Sequence, residues 1–132
     1  MILITGGAYQ GKLSYALKRF NLTESDVYFC SDGNTAMPPA KSDKSNKKII
    51  CGLDRWILAL VRKDMDAREW TERFMESCEN AVVICDDISC GVVPVDAQLR
   101  QWREAAGRSL GVLAQNAEEV VRLFCGIPTR IK

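Results

Sequence analysis

The length, composition and charge of the chain set the first limits on its function. With 132 residues it can form one packed core, and it is too short for two ordinary domains. Hydrophobic residues make up 47% and charged residues 27%, which is typical of a globular protein. Since 18 basic residues face 17 acidic ones, no global charge would attract nucleic acid or an anionic membrane. No apolar run approaches the roughly 20 residues that a membrane-spanning helix needs, so we expect a cytoplasmic protein.

The first half of the chain is predicted to hold two strands, a helix and a long loop. Residues 1–5, MILIT, predict a buried strand rather than a signal peptide, and helical spacing predicts a helix from Lys12 to Phe20. Residues 27–30 predict a second strand. The Ser-, Asp-, Asn-, Pro- and Lys-rich residues 31–46 predict a mobile surface loop without a packed element. Four lysines in and just after this loop form a basic patch, which we expect to be solvated; they are Lys41, Lys44, Lys47 and Lys48.

The second half of the chain continues the alternation of strands and helices. It is predicted to contain, in order, a weak strand at 47–51, helices at 53–61 and 67–78, a strand at 81–85, a loop at 87–94, a helix at 95–116, a strand at 120–125 and a trailing segment at 126–132. The continuous apolar run at 81–85 is typical of a parallel strand covered on both faces. The alternation predicts a single domain with a doubly wound, mostly parallel sheet of about five strands and helices on both faces.

Cysteine and histidine usage restricts the available chemistry. No cysteine pair has CxxC spacing, and most cysteines lie in or beside apolar strands, so we expect reduced thiols that pack in the core. The six cysteines of the chain are Cys30, Cys51, Cys78, Cys85, Cys90 and Cys125. The chain contains no histidine, which excludes imidazole bases, histidine metal ligands and any phosphohistidine intermediate.

A phosphate-binding loop is predicted between the first strand and the first helix. The pattern G-x-x-x-x-G-K is satisfied by Gly6, Gly7, Ala8, Tyr9, Gln10, Gly11 and Lys12. Its glycines allow backbone N–H groups to converge on an anion, and the helix N-terminus adds partial positive charge. Lys12 would reach the terminal phosphates of a nucleotide. The fold is therefore expected to be of the P-loop type; the alternative is a glycine turn with an exposed lysine.

The residue after the lysine departs from this pattern. Leu13 stands where a Ser or Thr hydroxyl normally binds Mg²⁺. Ser14 lies about 100° further round the helix and could contact an inner phosphate, but it cannot simply replace the metal ligand. Nucleotide binding by residues 6–14 therefore survives this departure better than metal-assisted catalysis, and Tyr9 could stack against the nucleotide.

Two carboxylates follow the strand at 81–85. Asp86 and Asp87 lie at the predicted carboxyl edge of the sheet, where ligands of such folds bind. A carboxylate there would hold Mg²⁺ or its water shell beside the phosphates. The alternative is that both are solvated loop residues.

Three segments resemble the adenosylcobinamide kinase / adenosylcobinamide-phosphate guanylyltransferase family. They are the loop GGAYQGK after MILIT, the run DDISCGVVP at 86–94, and Arg100-Gln101-Trp102-Arg103-Glu104 with Gly107. The ending CGIPTRIK at 125–132 is also similar to the close of the family. The resemblance favours Asp87 over Asp86 as the metal-binding and catalytic carboxylate, with Lys12 and Arg103 as further catalytic residues.

The resemblance implies a kinase that phosphorylates adenosylcobinamide with ATP or GTP and Mg²⁺. It also implies a homo-oligomer such as a trimer. Guanylyl transfer in the family passes through a guanylylated histidine, which this chain lacks. The aspartate expected after the third strand is also absent, since Cys51 and Gly52 stand there. The chain therefore resembles a shortened branch that retains the kinase half; the alternative is a nucleotide-binding relative without turnover, with a regulatory or scaffolding role.

The arginines and tryptophans of the helices have two readings each. Arg100 and Arg103 lie on one helix face and could clamp phosphates or form solvated charge pairs. Trp56, Trp70 and Trp102 fall on apolar helical stripes, so we favour core positions over ligand stacking.

Overall fold

Six strands and four α-helices form in residues 1–40 and 47–132, the part of the chain that the computed structural model describes. Their bounds are β1 Ile2–Gly6, α1 Lys12–Phe20, β2 Val27–Phe29, β3 Ile49–Cys51, α2 Leu53–Arg62, α3 Ala67–Ser77, β4 Val82–Asp86, α4 Ala97–Asn116, β5 Glu119–Phe124 and β6 Ile127–Arg130. The order of the predicted elements along the chain is confirmed.

The sheet has the strand order β2-β3-β4-β1-β5-β6. The first five strands pair in parallel, whereas β6 pairs antiparallel with β5. The P-loop-type α/β fold with a mostly parallel sheet is confirmed. The reading of residues 126–132 as a trailing segment is wrong, because Cys125 and Gly126 both take positive φ and form the tight turn of a hairpin.

The two faces of the sheet carry different helices. Successive residues of a strand point to opposite faces, so Leu3 packs in the layer of α2, α3 and α4, and Ile4 packs in the layer of α1. In the larger layer the rings of Trp56 and Phe74 lie 5.7 Å apart. Trp56 is buried, and Trp70 and Trp102 are half-buried against the same core, so the expected core positions are confirmed in full only for Trp56.

Several element boundaries differ from the sequence expectation by one or two residues. The helix α4 begins at Ala97 instead of residue 95, because the Asp96 carboxylate accepts a hydrogen bond from the Leu99 backbone N–H at 3.0 Å and caps the helix. The helix α3 ends at Ser77, with Cys78 as its C-cap. The ends of the five expected strands also differ by one or two residues.

The expected loop at 31–46 has no helix or strand in its described part, residues 31–40. It is not a pure surface segment, however, because Pro38 and Ala40 are buried and Met37 packs against the core. The indole N–H of Trp56 donates to the Thr35 carbonyl at 3.2 Å. Residues 41–46, with the predicted basic residues Lys41 and Lys44, lie outside the described residues.

All six cysteines are free thiols, as expected. Cys30, Cys78 and Cys85 are buried and Cys51 is half-buried. Cys90 and Cys125 are exposed because they lie in a loop and in the β5–β6 turn, so the expectation that most of the cysteines pack in the core is met by the other four.

At Gly6 the end of β1 packs closely against the backbone of the neighbouring strand β5. The φ of Gly6 is +141°, and a Cβ added there would lie 2.3 Å from the backbone carbonyl oxygen of Leu123. Backbone cannot yield to that overlap as a flexible side chain could. We therefore expect Gly6→Ala to lower the free energy of unfolding by about 2–4 kcal/mol, measured by urea denaturation.

The matched control is Gly33→Ala, at which an added Cβ meets no heavy atom within 4 Å. Its unfolding free energy should stay within about 0.5 kcal/mol of the parent. Equal stabilities of the two variants would contradict the close packing of β1 against β5.

Candidate functional site

A cavity of about 420 Å³ opens at the carboxyl edge of the sheet. The phosphate loop forms one side, and the ends of β2, β3 and β4 with the start of α2 form the other. Its lining includes Lys12, Asp54, Arg55 and Asp86. Parallel strands all end at this edge, which is where α/β proteins of this architecture bind ligands.

The phosphate loop joins β1 to α1 in the strand–loop–helix context that the motif requires. Gly11 caps α1 with φ 82° and supplies no side chain, so the first N–H groups of the helix remain open to an anion. Tyr9 also has positive φ and is fully exposed. The Gln10 side-chain oxygen accepts a hydrogen bond from the Cys125 N–H, which ties the loop to the β5–β6 turn.

Lys12 is folded back over the loop. Only 6% of the residue is exposed, and its ammonium lies 2.8 Å from the Asp86 carboxylate. The same ammonium donates to the Gly7 carbonyl at 2.5 Å. Asp86 therefore neutralises the lysine that the motif directs at phosphate.

The two adjacent aspartates occupy different surroundings. Asp86 ends β4 inside the cavity and pairs with Lys12. The Asp87 carboxylate accepts hydrogen bonds from the backbone N–H and the hydroxyl of Ser89, and it lines a separate space beside Thr5 and α4. The structure thus brings the carboxylate of Asp86, and not that of the favoured Asp87, next to Lys12 of the phosphate loop, although the Asp87 backbone N–H donates to the Gly6 carbonyl at 3.0 Å. The catalytic role of Asp87 stays a prediction.

Asp54 is a site residue that the sequence analysis did not single out. It lies in the first turn of α2, is 5% exposed, and accepts a hydrogen bond from the Asp86 backbone N–H at 3.1 Å. Its carbonyl oxygen accepts from the Trp102 indole N–H at 2.7 Å. Gly52, with φ 77°, starts the helix at once after β3, so the carboxylate reaches the cavity three residues beyond the strand. Gly52, directly after the predicted strand, was the feature of the sequence that could have indicated a helix start at the cavity and hence Asp54 as a site residue.

Burial raises the pKa of Asp54, and the negative charge of Asp86 raises it further. A raised pKa means that ionising Asp54 costs more in the folded than in the unfolded chain, so its contribution to stability is present at low pH and is lost as the pH rises. We therefore expect Asp54→Asn to raise the melting temperature at pH 7 in EDTA, with a gain that shrinks as the pH falls towards about 4.

Two conditions make this measurement decisive. EDTA removes divalent cations that would stabilise the Asp54 carboxylate, and asparagine retains an oxygen that can accept from the Asp86 N–H. A gain that grows on acidification would contradict the assigned cause of the shift.

The neighbours of Lys12 in α1 also line the cavity. Leu13 is half-buried and packs against the core on the α1 side of the sheet, whereas Ser14 is exposed. No side-chain hydroxyl therefore stands at the usual metal-binding position.

The predicted arginines hold a loop instead of lining the cavity. Arg103 donates to the carbonyl oxygens of Ser89 and Gly91 at 2.6–3.0 Å, and Arg100 donates to those of Pro94 and Val95. They fasten residues 89–95 to the first turns of α4. A catalytic role of Arg103 stays a prediction.

The carboxylates of the cavity fit a Mg²⁺ ion that is bound chiefly by water and substrate phosphates. Asp86 and Asp54 are the carboxylates that line the cavity. Within residues 1–40 and 47–132 no group of three or more His, Cys, Asp or Glu side chains could hold a metal. Mg²⁺ does not need such a cage, since it binds through one or two carboxylates, waters and substrate phosphates.

The strand–loop–helix unit at the edge of a mostly parallel sheet defines a P-loop-type α/β protein. A model of the cobinamide kinase / cobinamide phosphate guanyltransferase family matches residues 40–131, more than half of the chain, and the chain belongs to this family. The resemblance inferred from the sequence is thereby confirmed. The match begins after the phosphate loop, so the assignment of residues 6–12 rests on their own geometry.

Family membership supports a role in cobamide biosynthesis and nucleotide-related transferase chemistry. The family acts on cobinamide and nucleotide substrates. No curated protein matches the chain. Among the described residues, no helix combines the length and apolar character needed to cross a membrane.

Proposed function

We propose that the protein is a nucleoside-triphosphate-dependent kinase of adenosylcobinamide. The observation that carries the proposal is the pairing of Lys12 with Asp86 at 2.8 Å, where the phosphate loop meets the end of β4. A loop that binds phosphates, a lysine for their outer charge and a carboxylate for a metal are what phosphoryl transfer requires. Family membership supports cobinamide as the acceptor.

The proposed roles follow from the positions of the residues in the cavity. Residues 6–14 bind the phosphates of ATP or GTP, and Lys12 moves from Asp86 to the outer phosphates. Asp86 holds Mg²⁺, with Asp54 beside it; Asp87 is the competing candidate. Bound Mg²⁺ would neutralise charge on the phosphates. Since Leu13 offers no hydroxyl, water and phosphate oxygens would supply the remaining ligands.

The proposal omits the guanylyl-transfer half. A covalent guanylyl-histidine cannot form in a chain without histidine. Incubation with labelled GTP should therefore leave no acid-labile label on the denatured protein. Stable labelling would mean that another nucleophile has taken this role.

Turnover with and without the corrinoid tests the kinase proposal. The purified protein is incubated with γ-labelled ATP or GTP, Mg²⁺ and adenosylcobinamide, and the products are separated. Label transferred to the corrinoid supports the proposal. Binding of the triphosphate without transfer, over a range of Mg²⁺ concentrations, would contradict it.

The second candidate is a nucleotide-binding protein without turnover, acting in regulation or as a scaffold. Leu13 favours it, because an apolar side chain packs where a metal-binding hydroxyl usually stands. In that case the same incubation yields binding alone, and neither Mg²⁺ nor corrinoid changes the nucleotide.

We also propose a single-domain, cytoplasmic protein that associates as a homo-oligomer such as a trimer. Three valines of the loop 89–95 that Arg100 and Arg103 hold are 62–95% exposed and would be covered by a second copy; they are Val92, Val93 and Val95. Sedimentation equilibrium tests this: a monomer at all concentrations would contradict it.

A further inference from the structure

Arg55 is a cation on the wall of the phosphate-loop cavity. It lines the same space as Lys12 and Asp86, and it is exposed. Its side chain has no hydrogen-bond or ion-pair partner among the described residues. The other arginine of α2, Arg62, is by contrast paired with Asp32 at 2.6 Å.

The position of Arg55 is unfavourable for a cation by local rules. It lies in the first turn of α2, where the helix dipole disfavours positive charge. Its side chain runs back along the helix start, with Cδ 3.7 Å from the point that a Cβ on Gly52 would take. Its charge is close enough to lower the pKa values of Cys51 and Asp54 against their stronger shift from burial. A residue that violates local preference at a cavity is a candidate for function.

The other charged side chains of the cavity indicate what Arg55 contributes to ligand binding. Asp86 already neutralises Lys12, and Asp54 adds a second carboxylate. Without Arg55, these side chains would leave the cavity with a net negative charge, which would repel a polyphosphate. Arg55 brings the sum for these four side chains to zero.

We propose that Arg55 binds the outermost phosphoryl group of the nucleoside triphosphate. This inference rests on the proposed function of the phosphate loop. Lys12 and Asp86 mark the outer end of the bound phosphates, since that is where the lysine and metal of such loops act. Asp54, the residue before Arg55 in α2, accepts a hydrogen bond from the Asp86 N–H. Arg55 therefore lies near the same end of the cavity. The β5–β6 turn, whose Cys125 N–H donates to Gln10, lies on the other side of β1 in the order of the sheet.

The experiment compares a triphosphate with a diphosphate. Calorimetry with Mg²⁺ measures the affinities of non-hydrolysable ATP and GTP analogues and of ADP and GDP. We expect Arg55→Gln to weaken binding of the triphosphate analogue about tenfold, and binding of the diphosphate less than about twofold, because only the former carries the contacted group. Arg55→Lys should recover part of the loss. Arg62→Gln is the matched control on the same helix and should change neither affinity.

The outcomes separate this inference from the kinase proposal. Equal losses for triphosphate and diphosphate, or no loss, overturn the role of Arg55 even if the protein phosphorylates the corrinoid. A selective loss of triphosphate binding supports it even if no corrinoid is phosphorylated. Failure of the parent protein to bind any of the four nucleotides overturns both.

Discussion

Replacing Lys12 with alanine is expected to lower the affinity for nucleoside triphosphate about 10- to 100-fold. A hydrogen bond to a charged group contributes about 1.5–3 kcal/mol, and each 1.4 kcal/mol is about tenfold in affinity. The loss has two parts here. The direct contact to phosphate disappears, and Asp86, which the lysine neutralises at 2.8 Å, is left to repel the ligand. Calorimetry with ATP and GTP measures the change.

Lys18→Ala is the matched control, since Lys18 is an exposed lysine of the same helix and lies away from the cavity lining. It should leave both affinities unchanged. If Lys12→Ala also binds with the affinity of the parent, residues 6–12 are a glycine turn and not a phosphate loop.

Much of the fold could be predicted because its signals are local. A continuous apolar run marks β4, and helical spacing marks α1 and α2. The β5–β6 hairpin was missed because Cys125 is an unusual residue for positive φ, so Cys125-Gly126 did not stand out as a turn. The start of α4 was misplaced because the apolar residues before Asp96 resemble helix, whereas the capping carboxylate decides the boundary.

The candidate site was less predictable, because its parts meet only in three dimensions. The motif located Lys12, and strand polarity located the pair Asp86 and Asp87. Which aspartate faces the loop depends on the direction of each side chain at the strand end, which adjacent sequence positions do not reveal. Asp54 was missed since its place beside Asp86 depends on the pairing of β3 with β4 and on the sharp start of α2 at Gly52.

Asp86→Asn is expected to abolish Mg²⁺-dependent phosphoryl transfer, with a loss of about a thousandfold or more. The variant removes the carboxylate that faces the phosphate loop and retains a similar shape. In EDTA the same change should tighten triphosphate binding, because Lys12 is released from its ion pair and one negative charge leaves the cavity. The fold should become less stable, since the ammonium of Lys12, a residue only 6% exposed, loses its charged partner.

The competing variant is Asp87→Asn, which removes the neighbouring charge and leaves the Lys12–Asp86 pair intact. It weakens the hydrogen bonds that Ser89 donates to Asp87, so we expect a modest change in turnover and none in triphosphate affinity in EDTA. Because the two variants are expected to differ in both turnover and triphosphate affinity in EDTA, comparing them shows which aspartate binds the metal. If Asp87→Asn abolishes turnover while Asp86→Asn retains it, the family-based preference for Asp87 is correct, and the loop at 87–91 must turn towards the phosphates when nucleotide binds.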